Sequence, residues 1–301
     1  MQYIGYSIWY GSGNLLDYIE YCYDVGFNLI EVSLDYPWPE SFYVEYPSLK
    51  ETLEKYGLKL GVHAPWRDIH LASPRWEICE ASIKTILRLV KEICSLGLEP
   101  EYVCVHIDTR EKVLFEEVYS KAFRNALKAV RVLEEEMKNI GVKLVVENTF
   151  SILRDSTDIL DFIRHLGYEL NICLDIGHLA YYYLKICKVS LDELTGNIIE
   201  DLDRLRRLVK VVHIHDVIVD QHGILDHVAL TKGVLNWDTI IPKLHETKAR
   251  YLVLETAYSS RDRDITHEDL KSSLSLVRKY LSGAELGRKP KDSKCKGKRD
   301  N

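Results

Sequence analysis

Eight short apolar runs, each followed by a stretch of helical periodicity, constrain this chain more than any other feature. The runs are YIGYSI (3–8), NLIEVSL (28–34), LKLGVHA (58–64), YVCVHI (102–107), VKLVVEN (142–148), ELNICLD (169–175), KVVHIHD (210–216) and RYLVLET (250–256). Several are almost continuously apolar, as parallel strands covered on both faces must be. Helical patterns fill the gaps. Residues 74–96 place Ile78, Ile86, Leu89 and Ile93 at helical spacing, with Ser73 as the N-cap and Pro74 in the first turn. Residues 111–140 align Leu114, Val118, Ala122, Ala129, Leu133 and Met137, and Ser190 with Glu193 fits a capping box opening 191–209. Residues 237–247 and 266–281 supply the last two helices. Strand–helix alternation without an internal linker predicts an α/β protein, one (β/α)8 TIM barrel over residues 1–282.

The 301 residues, 46% of them hydrophobic, suffice for one large core. No apolar run reaches the ~18 residues a membrane span requires. The N-terminal MQYIGYSIWYG has no basic region ahead of an apolar stretch, so a cytoplasmic protein with no membrane partner is expected. Seven cysteines (22, 79, 94, 104, 173, 187 and 295) are scattered, odd in number and never spaced C-x-x-C. That pattern argues against a disulfide framework or a thiolate metal site. The net charge of −6 is uneven: from Gly283 onward seven basic residues face three acids, so the tail carries +4 and residues 1–282 carry −10. The tail, 283–301, is nearly free of apolar residues and is expected to be disordered. It reads as a solubilising terminus, with a loose nucleic-acid contact as the alternative.

In such barrels chemistry sits where the C-terminal strand ends meet. Those ends carry, in chain order, His63, His106, Glu147, Asp175, His213 and Glu255. A lone histidine at a strand end is ordinarily a satisfied structural residue. Six consecutive imidazole or carboxylate ends converging on one rim are different, because unpaired buried carboxylates are costly and a divalent cation removes the cost. Asp175 continues as LDIGH, which returns His178 to the same rim. After the seventh strand, DHVAL adds Asp226 and His227. The strand VVHIHDV carries His213 and His215 on one side and Asp216 on the other. Either histidine can be the ligand. His70, His165, His222, His245 and His267 fall outside this pattern and read as solvated.

The motifs VHAPWRDIHLASP, VVENT, ICLDIGH, HIHD, DHVAL and LVLET, in this order, resemble the xylose isomerase-like superfamily. That group holds sugar and sugar-phosphate isomerases and epimerases and the endonuclease IV type of apurinic-site nucleases. The resemblance covers about residues 3 to 281. It implies a metal held by Glu147, Asp175, His213 and Glu255, with Glu147 and Glu255 doubling as proton carriers and His178 orienting a substrate oxygen. Its strand-seven motif, similar to H-x-x-D, selects His213 as ligand and Asp216 as companion, leaving His215 beside the ligands or facing substrate. His63 and His106, with Glu147 bridging, are candidates for a second ion, and His227 is a further candidate ligand. Histidine-rich ligation favours zinc, manganese or cobalt over magnesium, in one or two ions.

Two functions compete. Proton transfer beside a sugar carbonyl needs a base, an acid and a cation for the enediolate oxygen, which makes a metal-dependent isomerase or epimerase the first. The second is cleavage at abasic DNA by a three-zinc cluster. The nuclease motif resembles D-x-H, whereas Leu225 stands two before His227 here, Asp226 is adjacent, and the following turn reads LTKG. The loop DYPWPESFYVEYPSL and loop 217–231 are acidic, which disfavours a polyanion. A sugar phosphate needs only one or two cations, and Arg67, Lys232 or Arg261 can supply them. Trp66, Trp38 and the loop tyrosines suit stacking on a sugar, or equally loop packing or a subunit contact. A binding protein without turnover is a third class, separated by whether solvent protons enter a sugar. The partner expected is thus a small sugar or sugar phosphate; homo-oligomerisation stays open.

Overall fold

The computed structural model describes residues 3–9, 15–35, 46–109 and 115–286. Eight parallel strands close into a barrel. In order they are β1 (Tyr3–Ile8), β2 (Leu29–Ser33), β3 (Lys59–His63), β4 (Val103–His106), β5 (Leu144–Glu147), β6 (Ile172–Asp175), β7 (Val209–Ile214) and, after a hairpin, β10 (Tyr251–Leu254), which pairs back onto β1. Around it pack α1 (Leu15–Val25), α2 (Tyr46–Tyr56), α3 (Trp76–Ser95), α4 (Glu116–Ile140), α5 (Ser156–Leu166), the short α6 (Ile176–Tyr182), α7 (Leu191–Leu205), α8 (Trp237–Leu244) and α9 (His267–Leu286). The (β/α)8 expectation holds.

Strand alternation explains how the barrel builds its upper rim. Cys104, Val145, Cys173, Val211 and Val253 belong to the inner core, with Leu29, Tyr102 and Tyr251. Two residues further along the same strands stand His106, Glu147, Asp175, His213 and Glu255, which therefore share the inward face at the C-terminal end. Register makes neighbours of them: His106 pairs with Glu147 across β4 and β5, and Asp175 with His213 across β6 and β7.

Local chemistry sets the helix limits. Asp155 caps α5 by accepting the N–H groups of Thr157 and Asp158, and Gly141 and Gly167 close α4 and α5 in the left-handed region that suits glycine. The capping box of Ser190 and Glu193 forms at α7. Helix α3, by contrast, starts at Trp76 with Arg75 as its N-cap; the Ser73 hydroxyl accepts the Arg75 N–H at 3.2 Å, and Ile78 is exposed.

Part of the stretch expected as loop 217–231 is instead a hairpin. Strands β8 (Asp216–Asp220) and β9 (Gly223–Val228) join β11 (Tyr258–Ser260) and β12 (Arg263–Asp264) in a four-stranded sheet beside the barrel mouth. Asp216 holds this segment. Its fully buried carboxylate accepts the backbone N–H groups of Val217 (2.9 Å), Thr231 (3.1 Å) and Leu235 (3.0 Å) and the Trp237 indole N–H (2.9 Å). Helix α9 passes the expected boundary at 282 and runs to Leu286; the remaining basic tail lies outside the described residues, as do Trp38 and most of the loop after β2. Among the described residues no helix is long and apolar enough to cross a membrane, and the cysteines there are free.

Candidate metal centre and active site

Glu147, Asp175, His213 and Glu255 come together as expected, each offering a ligand atom within 4.8 Å of the others, all four buried. His63 and His106 form a second group with Glu147, under the same 4.8 Å limit. Glu147 is the hub. Its Oε1 lies 3.3 Å from His106 Nε2 and 3.2 Å from His178 Nδ1, and its Oε2 lies 3.3 Å from both His63 Nε2 and His213 Nδ1. His213 Nδ1 also sits 2.9 Å from Glu255 Oε2.

Neighbouring backbone aims several of these rings. His63 Nδ1 is 2.8 Å from the Ala64 carbonyl oxygen, which only an N–H can satisfy, so the lone pair of a neutral His63 is on Nε2, facing Glu147. His178 Nδ1 likewise faces the Asn148 carbonyl at 3.1 Å. Its position follows from helix geometry: Asp175 is the N-cap of α6 and accepts the His178 N–H at 2.6 Å, which fixes the first turn. Asn148 ties the strand ends together, its side chain accepting the Asp175 N–H (2.7 Å) and donating to the Asp175 carbonyl (3.0 Å).

A divalent cation fits this donor set. Buried His106 Nε2, Glu147 Oε1, Asp175 Oδ2, His213 Nδ1 and Glu255 Oε2 have no hydrogen-bond partner of good geometry among the described residues. Oxygen and imidazole donors closing on an ion at about 2.0–2.2 Å need the crowding seen here. Charge agrees. Burial pushes the Glu147 carboxyl up, yet His106 and His213 pull it further down, well below the usual range. Burial pushes His63 down, but Glu147 and its fellow carboxylates lift it to about 9. The carboxylates thus gather positive charge onto the imidazoles, and a cation supplies that charge directly.

Sequence reasoning missed Glu31. It is fully buried on β2 and its Oε2 hydrogen-bonds with His213 Nε2 at 3.1 Å. A glutamate at mid-strand in LIEVS reads as an outward polar residue; the only signal was its parity with Leu29, now seen inside the barrel. His215 is also fully buried, and it does not line the cavity: Nε2 is 3.1 Å from Asp175 Oδ1, and Nδ1 accepts the His227 N–H at 2.8 Å. Asp216 faces away from the ligands into its loop clamp.

Above the carboxylates opens a cavity of about 1360 Å³. His63, His106, His178, His227 and Glu255 contribute to its lining, with Trp9, Trp66, Phe150 and Tyr258 as aromatic surface. Of the three cations expected to meet an anion, Arg67 alone lines it; Arg67 pairs with Asp35 at 3.0 Å and lies over the Trp66 ring. Lys232 lines a separate surface depression and pairs with Asp269 (3.5 Å), and Arg261 pairs with Asp220 (2.9 Å), so neither reaches this cavity. Arg154, the other lining arginine among the described residues, is bound by Asp158. Asp108, Asp226 and Asp264 add acid. Leu225 is half-buried on β9, while Asp226 lines the cavity with its Oδ1 3.2 Å from His227 Nδ1. His178, His215 and His227 also group within 4.8 Å, though His215 is already engaged as described.

A closed barrel with a carboxylate–imidazole centre at its C-terminal rim defines the class, and the chain belongs to the xylose isomerase-like TIM barrel family, matched over residues 19–280. It is 23% identical over 246 residues to the uncharacterized protein MJ1311 of Methanocaldococcus jannaschii, covering 79% of this chain and 77% of that one. Solved structures share the fold. A D-tagatose 3-epimerase-like protein matches with a TM-score of 0.74 at 19% identity, over 95% of this chain and 99% of that chain. The D-psicose 3-epimerase of Clostridium cellulolyticum H10, solved with D-tagatose, matches at 0.67 and 15% identity, over 93% and 99%. A 3-keto-D-glucoside 4-epimerase from E. coli matches at 0.66 and 17%, over 93% and 100%.

Proposed function

We propose that this protein is a metal-dependent epimerase or isomerase acting on an uncharged sugar. One observation carries the reading: Glu147 and Glu255, from strands three positions apart in the barrel, offer carboxylate oxygens within 4.8 Å of each other and of Asp175 and His213, and Glu255 lines the cavity. In this reading Glu147, Asp175, His213 and Glu255 hold a divalent ion, with zinc, manganese or cobalt preferred over magnesium. His63 and His106 join Glu147 around a second ion. When bound, the ion supplies the positive charge that stabilises a developing enediolate oxygen. The chain's own residues do the rest. Glu147 and Glu255 take and return the proton beside the carbonyl from two sides, which inverts a centre or relocates a carbonyl. His178 orients a substrate oxygen through Nε2, since Nδ1 is held by Asn148. Trp66 offers a face to the ring.

The absence of phosphate follows from charge. Both lining arginines among the described residues are already paired with aspartates, while three further acids line the cavity. A dianion entering there would meet repulsion rather than a free clamp. The likeness to a D-tagatose 3-epimerase-like protein, a D-psicose 3-epimerase and a 3-keto-D-glucoside 4-epimerase supports sugar as the substrate class. The test is a screen of free ketoses against their phosphates with metal-loaded protein. Turnover confined to the phosphates would reject the uncharged substrate.

A second reading, cleavage at abasic DNA, retains one favourable observation: Asp226 lies in the cavity wall beside His227, within reach of His178's side of the site. The acids of the mouth oppose it.

A further inference from the structure

We infer that Glu31 is a positioning residue for the metal centre: it fixes which nitrogen of His213 is offered to the ion. This rests on the metal reading above. A neutral imidazole has one N–H and one lone pair, and an ionised carboxylate can only accept. Glu31 Oε2 accepts from His213 Nε2 at 3.1 Å, so the proton resides on Nε2 and the lone pair on Nδ1. Nδ1 is the atom that faces Glu255 Oε2 at 2.9 Å, Glu147 Oε2 at 3.3 Å and Asp175 Oδ2 at 4.0 Å. The opposite tautomer would aim an N–H at the ion.

Glu31 is itself held for this purpose. The Tyr102 hydroxyl donates to Oε2 at 2.7 Å and the Ser7 hydroxyl to Oε1 at 3.2 Å, both inside the barrel. Tyr102 reaches Glu31 by crossing Gly61: a β-carbon there would stand 2.6 Å from the phenol oxygen. Among the described residues the charged neighbours of Glu31 are the site histidines, chiefly His213 and then His63. A carboxylate in a sealed barrel interior, on the far side of a ligand ring from its neighbours, raises the basicity of that ligand and locks its orientation. The nearby Cys104 thiol donates instead to Glu147 Oε2 at 3.1 Å.

The experiment is calorimetric titration of metal-stripped full-length protein with Mn²⁺, comparing wild type with Glu31→Gln, without any sugar. The variant keeps shape and an oxygen acceptor and loses the charge. We expect its far-UV circular dichroism to be unchanged and its Mn²⁺ affinity to fall about 10–100-fold. A folded variant that binds within about twofold of wild type overturns the role of Glu31 alone, because a residue serving only the fold would leave affinity intact. A wild type that binds no divalent ion overturns both this inference and the metal-dependent function. If Glu31→Gln does not fold, nitrogen-15 spectra of histidine-labelled, Zn²⁺-loaded wild type decide: a proton on His213 Nε2 supports the inference, and a proton on Nδ1 overturns it.

Discussion

His215 Nε2 lies 3.1 Å from Asp175 Oδ1, and this contact accounts for the second histidine of VVHIHDV. The two same-facing imidazoles differ in role: His213 faces the proposed ion site, and His215 lies against a carboxylate that also faces it. Its room comes from Gly177, where a β-carbon would stand 1.9 Å from His215 Cε1.

Replacing His215 should therefore disturb metal rather than sugar. His215→Ala is expected to lower divalent metal affinity about 10–100-fold while the KM for substrate, measured at saturating metal, stays near wild type. A large KM change at full metal loading would return His215 to the substrate-facing role. Gly177→Ala should act in the same direction, with lower metal affinity, because it displaces the same ring.

Metal removal should cost stability. In stripped protein the centre gathers four buried carboxylates, Glu31, Glu147, Asp175 and Glu255, whose positive partners are the site imidazoles. Adding Mn²⁺ at 100 times its dissociation constant should stabilise by about 2.7 kcal/mol, an upward shift of roughly 4–5 °C in Tm. Thermal melts with and without the ion check this, and identical melts in wild type would contradict it.

The barrel and six of its rim residues were legible because strand periodicity and strand-end chemistry are local properties. Residues 63, 106, 147, 175, 213 and 255 announce themselves where an apolar run stops. Glu31 does not, because a closed barrel buries both faces of a strand and alternation no longer separates inside from outside. The hairpin after β7 was legible in principle: VIV and ILDHV flank QHG, and Gly223 adopts φ 107°. Lys232 and Arg261 failed as cavity cations for a tertiary reason, since their aspartate partners are 37 and 41 residues away in sequence.

Asp216, read from its motif as a companion of the ligand, should behave as a loop clamp. Asp216→Ala leaves the buried N–H groups of Val217 and Leu235, the part-buried N–H of Thr231 and the Trp237 indole without their acceptor and should destabilise by about 3 kcal/mol or more. Denaturant unfolding measures it. A loss below about 1 kcal/mol would show that the segment holds itself without the carboxylate.

Abasic-site incision should be negligible for full-length protein and for a truncation after Leu286, where the last described helix ends. Any DNA retention owed to the basic tail should vanish with added salt. Leu225→Asp should add little. Efficient metal-dependent incision by the truncated protein would promote the nuclease reading over the epimerase.

Glu147 and Glu255 are proposed to move a proton beside a bound divalent ion. The most direct test is incorporation of solvent deuterium beside the carbonyl of a free ketose, followed by mass spectrometry for metal-loaded wild type, Glu147→Gln and Glu255→Gln. Metal content and substrate binding are verified for each. The account predicts exchange by wild type and its loss in at least one variant that still holds both metal and sugar. Exchange at wild-type rate in both variants would contradict it.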